Sequence, residues 1–140
     1  MPNWCENRMW VFGFGEAAFE QAAEFLDESK EEDSDLVFHK LVPLNEEDEK
    51  VWDYKRAVDL WGTKWDPCDV TLLASIERNY VQLEYSFDTA WAPPFAWLKT
   101  VSKKFPDLLF LLTYFEPGVG FMGVAKYQAG DEVIRELTWG

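Results

Sequence analysis

Asp69-Val70-Thr71-Leu72-Leu73-Ala74-Ser75-Ile76 and Tyr80-Val81-Gln82-Leu83-Glu84-Tyr85-Ser86-Phe87-Asp88, separated by Glu77-Arg78-Asn79, decide the fold. Both runs are rich in β-formers, and the short polar break joins them as a hairpin. The second run alternates cleanly, with Val81, Leu83, Tyr85 and Phe87 against Gln82, Glu84, Ser86 and Asp88. Successive strand side chains point to opposite faces, so one face of this strand is buried and the other is wet or functional.

Upstream, Cys5, Asn7, Met9 and Val11 alternate with Glu6, Arg8, Trp10 and Phe12, which predicts a first strand ended by Gly13 and Gly15. Residues 16 to 29 read as an amphipathic helix with Phe19, Ala22, Ala23 and Leu26 inward. A charged loop, Lys30 to Asp35, precedes a second predicted strand, Leu36 to Val42, stopped by Pro43-Leu44-Asn45. Glu46 to Leu60 carries helix formers with Val51, Tyr54 and Val58 on one stripe; Gly62 suits its cap and Pro67 forbids its continuation.

Downstream, Pro93-Pro94 opens a helix to about Lys104, with Trp97, Leu98 and Val101 inward and Lys103 and Lys104 suited to its C-terminal dipole. Leu108 to Phe115 is apolar at both alternating sets of positions, the pattern of a central strand covered on both sides. Phe121 to Tyr127 and Glu132 to Trp139 form a last hairpin around Gln128-Ala129-Gly130-Asp131. The order β, α, β, inserted helix, β, β, α, β, β, β contains a split βαβ pattern. It predicts one α+β domain over residues 1–140, a ferredoxin-like sandwich of an antiparallel sheet with two main helices on one face. An insertion at about 46–66 is expected to cover the second face of the strand at 108–115, and a C-terminal β-hairpin extends the sheet.

Composition narrows the function. The 140 residues carry a net charge of −13, so direct nucleic-acid binding would need a concentrated basic patch, and the only local cluster is Lys99, Lys103 and Lys104. No signal peptide or membrane-length apolar segment is evident, which places the expected location in the cytoplasm. Cys5, Cys68 and the single His39 do not have the spacing of a disulfide framework or a conventional zinc site, so no metal and no cofactor is expected.

Five of the eight tryptophans stand beside turn-forming residues or cysteine. Met1-Pro2-Asn3-Trp4-Cys5-Glu6-Asn7, Trp61-Gly62-Thr63-Lys64-Trp65-Asp66, Thr89-Ala90-Trp91-Ala92-Pro93-Pro94 and Tyr114-Phe115-Glu116-Pro117-Gly118 through Gly123 resemble, in this order, the signature of the YubB-like family. The resemblance runs from residue 1 to about 127. It implies a ferredoxin-like domain encoded on phages or conjugative plasmids, and no established activity.

In such a fold Trp4, Asn7, Asp88, Thr89, Trp91, Tyr114 and Glu116 approach one edge of the sheet, together with Thr63, Lys64, Trp65 and Asp66 of the insertion. Aromatic walls with a few directed polar groups suit a small ligand or nucleotide, and Asp66, Asp88 and Glu116 beside Lys64 are the makings of an acid/base set. The bland alternative is a corner that seals the core, with Lys64 ion-paired to Asp66 or Glu116 and Glu116-Pro117-Gly118-Val119-Gly120 a simple turn. Cys5 reads as a buried small hydrophobe rather than a nucleophile, since nothing brings His39 to it.

Fourteen of the 26 acids lie between Glu16 and Asp53. That field is either a solubilising surface or a docking face for a basic partner. The leading expectation is therefore non-enzymatic, with no catalytic residue: a mobile-element accessory protein that binds a host or element protein through Glu20, Glu24, Glu28, Glu31 and Glu32 and interferes with defence or DNA handling. The alternative is a ligand- or nucleotide-binding module at the tryptophan cluster, with or without hydrolytic chemistry.

Overall fold

The computed structural model describes residues 3–44, 54–77 and 79–139. β1 (Trp4–Phe14) leads into α1 (Glu16–Ser29), and α2 (Tyr54–Trp61) precedes the hairpin β2 (Cys68–Glu77) and β3 (Tyr80–Ala90). Then come α3 (Phe95–Lys104) and the meander β4 (Leu109–Glu116), β5 (Phe121–Gln128) and β6 (Asp131–Thr138). The six strands among the described residues form one sheet, ordered β2-β3-β1-β4-β5-β6, with every neighbouring pair antiparallel. The interlocked crossovers β1-α1-β2 and β3-α3-β4 make the expected ferredoxin-like α+β core, and β5 and β6 extend it beyond β4.

Alternation sorts the side chains onto two faces. Met9, Val11, Leu83, Tyr85, Phe110 and Leu112 are buried beneath the helices. Phe25 of α1 centres that layer, meeting Tyr85, Phe105 and Phe110 edge-on at centroid distances of 6.0, 5.6 and 5.5 Å. The inward stripe of α1 is Ala18, Ala22, Phe25 and Ser29, not the expected one. Ala22 is shared, but Phe19 and Leu26 sit at the flanks and Ala23 is exposed. Phe25 takes the central inward position, with its ring against Tyr85 and Phe110.

Leu36 to Val42 is not a strand. The place beside β3 that a split βαβ unit gives its second strand is held by Cys68–Glu77, so the hairpin belongs to the core. Leu36, Val37, Phe38, Leu41 and Val42 are instead a buried turn-rich segment. Buried backbone groups need partners, and side chains supply many of them here. Trp97 Nε1 donates to the Phe38 carbonyl at 3.1 Å, Trp61 Nε1 to that of Val42 at 2.8 Å, and Lys104 Nζ to that of Leu41. The Phe38 amide donates to Asp66 Oδ1 at 2.7 Å, and that of Val37 to the Ser29 carbonyl at 2.7 Å.

Among the described residues the insertion does not cover the second face of β4. Its α2 packs beside α3 in the helical layer, and buried Trp61 lies 5.7 Å from the Phe38 ring. Gly62 ends α2 as expected, with φ of 85°, its amide donating to the Val58 carbonyl at 2.9 Å. A Cβ there would lie 3.0 Å from the Phe95 amide nitrogen, so glycine also permits the close approach of α2 to α3. Residues 46–53 of the expected insertion lie outside the described residues. Among the described residues the other sheet face has no helix upon it, and Leu109, Leu111, Thr113 and Phe115 of β4 are half-buried or exposed there.

Candidate docking surfaces

One end of the sheet gathers most of the predicted site. β1 begins there, β3 ends there, and Trp4 pairs with Ala90 and Glu6 with Phe115. Trp4 and Trp65 lie 6.1 Å apart by ring centroids, and Lys64 Nζ stands 5.0 Å from the Trp65 ring and 5.8 Å from that of Trp91. A cation over an indole face is attracted by its quadrupole, so this is a cation–aromatic cluster. Trp91 is half exposed and holds φ of 72°, tied by its amide to the Asn3 carbonyl at 2.8 Å.

The polar members behind that cluster are committed to the fold. Buried Asn7 donates to the Cys5 carbonyl at 3.1 Å and to Thr89 Oγ1 at 2.9 Å. Thr89 Oγ1 in turn donates to the Ala92 carbonyl at 2.7 Å, and Thr63 to the Ala90 carbonyl at 2.7 Å. Glu116 is buried and accepts from the amides of Gly118 at 2.9 Å and Val119 at 2.5 Å, which fixes the turn after β4. Burial first, then the Glu116 charge, pushes the Cys5 thiol up to about 12, far from a thiolate nucleophile at neutral pH.

Three predicted members go elsewhere. Asp66 faces away, accepting from the Phe38 amide and bonded to His39 Nδ1 at 2.9 Å, while His39 Nε2 meets Glu31. The Tyr114 ring runs inward against Phe95 and over Gly123, and its hydroxyl donates to Glu136 of β6 at 2.9 Å. Asp88 belongs to the helix-free face: it sits opposite Glu6 and Cys68 on neighbouring strands. The acid/base set of Asp66, Asp88, Glu116 and Lys64 is therefore spread over different faces, and the expected Lys64 pairing is not what Asp66 and Glu116 do.

The helix-free face carries a trough of about 800 Å³ whose floor includes Arg8, Ser86, Thr113 and Val124, with Asp69, Asp88 and Arg135 at its sides. Partial burial first, then Asp69 and Glu6, raise the Asp88 carboxyl above its ordinary value. Of eleven exposed large hydrophobic side chains among the described residues, eight project from this face, including Leu73, Leu137 and Trp139 at 70, 63 and 52% exposure. Phe115 and Trp139 stack at 5.7 Å. Sequence reasoning met this face as the wet side of β3 and as the covered second face of the strand at 108–115; extending the alternation of β1 across its neighbours would have joined the two into one surface.

A third surface lies on the outside of the helical layer. Glu16, Glu20, Glu24, Asp27 and Glu28 of α1 are exposed, as are Glu31, Glu32, Asp33 and Asp35 in the loop that follows. These nine carboxylates face the single Lys30 within the same stretch. Among the described residues only Glu31 of the nine has an ion pair, to His39.

Sheet order and helix placement define a ferredoxin-like α+β domain. The chain belongs to the family described as the ferredoxin-like domain in Api92-like protein, whose sequence model matches residues 61–138. It is similar in structure to the protein api92 from Yersinia pseudotuberculosis, with a TM-score of 0.66 over 100% of this chain and 99% of that one, at 12% sequence identity. That likeness establishes the fold alone. No curated protein matches the sequence. Among the described residues no helix is long and apolar enough to cross a membrane.

Proposed function

We propose that this protein is a non-enzymatic accessory protein of a phage or plasmid, acting in the cytoplasm by docking on a basic protein surface through α1 and the loop at 30–35. The observation that carries the reading is the acidic outer surface of α1: carboxylates from Glu16 to Asp35 with one lysine among them and one ion pair. Such a surface steers a positively charged partner and rejects nucleic acid itself. The four-segment resemblance supports the mobile-element origin, and interference with host defence or DNA handling follows from what such an element encounters. The ligand-binding alternative would use the tryptophan corner, where Asn7, Thr63, Thr89 and Glu116 already have protein partners.

The test is a quadruple charge reversal, Glu20→Lys, Glu24→Lys, Glu28→Lys and Glu32→Lys, which spares Glu31 and its bond to His39. Partners captured from host extract by the wild type at low salt should be lost both to the reversal and to raised salt, with circular dichroism unchanged. Retention of every captured partner by the folded variant overturns the reading.

A further inference from the structure

The geometry points to the helix-free sheet face as a self-association surface on which a second copy of this chain packs face to face, its two-fold axis parallel to the strands. The inference is independent of the acidic outer surface, which lies on the opposite side of the sheet.

The register supplies the complementarity. One row across the face reads Leu73, Glu84, Trp10, Leu111, Lys126 and Val133, from β2 to β6. A two-fold axis along the strands, midway between β1 and β4, sets β2 over β6 of the second copy, β3 over β5 and β1 over β4. Leu73 then meets Val133, Glu84 meets Lys126 and Trp10 meets Leu111, each twice over. In the flanking row Phe12 meets Leu109 across the same axis. Next to Thr71, which Arg135 would face, Asp69 offers that arginine a carboxylate.

The charges divide in the same sense. The β2, β3 and β1 half carries Glu77, Glu84, Asp88 and Glu6 with one base, Arg8, 3.9 Å from Glu84, whereas the β5 and β6 half carries Lys126 and Arg135 with one acid, Asp131. The two-fold axis along the strands places the mostly acidic half over the mostly basic one, with Glu84 over Lys126 and with Glu6 and Asp88 over Phe115 and Met122, whereas turning the partner end for end about an axis across the strands would place the acidic half over itself. Electrostatic complementarity of this kind fixes register. Sheets stacked in this way leave side chains interdigitated at about 10 Å spacing, with strands within about 30° of each other.

The area is sufficient. Six strands at about 4.8 Å spacing and about eight residues of about 3.3 Å rise cover roughly 750 Å² per copy, or about 1,500 Å² in a pair, within the range of specific interfaces. A small ligand in the trough would leave Leu73 and Val133, which do not line it, uncovered. The acids on the face and the net charge of −13 disfavour a phosphate backbone there.

Sedimentation velocity over a concentration series tests the inference. The wild type should sediment as a dimer, twice the 16.4 kDa chain mass, at about 10 μM and above, as interfaces of this size commonly allow. Leu111→Asp puts an unpaired carboxylate at the centre and should weaken the dimer by about a hundredfold or more. Glu84→Lys should weaken it by opposing Lys126, and the swap Glu84→Lys with Lys126→Glu should restore it, which separates lost pairing from lost folding. A wild type that remains monomeric at about a hundred micromolar, a standard beyond which an interface this large is not expected to dissociate, overturns the inference. So does a dimer indifferent to Leu111→Asp, or a charge swap that fails to recover what Glu84→Lys loses.

Discussion

The two faces of the sheet are built from the same strands and have opposite fates. On the helical face Met9, Leu83, Tyr85, Phe110 and Leu112 are fully buried, and the 36–44 segment and α2 close the layer. On the other face Trp10, Glu84, Leu111 and Lys126 stand in one row, apolar beside charged, with no helix over them among the described residues. Both faces are apolar enough to look like core in one dimension. The first is accompanied by groups that pair buried backbone carbonyls of the 36–44 segment, as Trp61, Trp97 and Lys104 do.

The sharpest way to break this contrast is at Phe25. Phe25→Ala removes the ring that Tyr85, Phe105 and Phe110 all touch, and should cost about 3–5 kcal/mol in urea unfolding. A loss below about 1 kcal/mol would show that the helical layer is not the closed core described.

A smaller effect separates fold from site at the sheet end. Asn7→Ala leaves Thr89 Oγ1 and nearby carbonyls without their donor and should cost about 1–3 kcal/mol. Unchanged thermal stability in that variant would free Asn7 for ligand recognition instead.

The smallest effect is electrostatic. Burial lowers the proton affinity of His39, but the bonds to Asp66 and Glu31 outweigh it and raise the value above 6.5. A raised folded-state value means that the stabilisation is complete below pH 6.5 and is lost as pH rises through the folded value. Wild-type stability should fall relative to His39→Gln as the pH is raised from 6.5. Parallel curves for the two proteins would contradict the bridge.

What the sequence disclosed follows from which interactions leave a period. The strict alternation of Val81 to Asp88 is the direct trace of one buried face, and it located β3 to within two residues of its end at Ala90. Leu36 to Val42 has strand-like composition but no partner strand, and its hydrogen bonds come from indoles distant in sequence, which no local pattern reveals. Leu108 to Phe115 read as covered on both sides because the apolar residues of the helix-free face resemble core residues until the helices are placed. At the sheet end, tryptophans beside turn residues marked a real meeting of segments. The diversion of Asp66 to His39 could not be read, because it depends on where the buried loop at 36–44 lies.

The contrast between faces is tested most directly by equilibrium urea unfolding of Leu111→Ala and Leu112→Ala, adjacent residues of β4 that point to opposite sides. At concentrations low enough that unfolding does not depend on concentration, Leu112→Ala should lose about 2–5 kcal/mol and Leu111→Ala less than about 1 kcal/mol. Equal losses would mean that the second face is core as well, and would contradict the account.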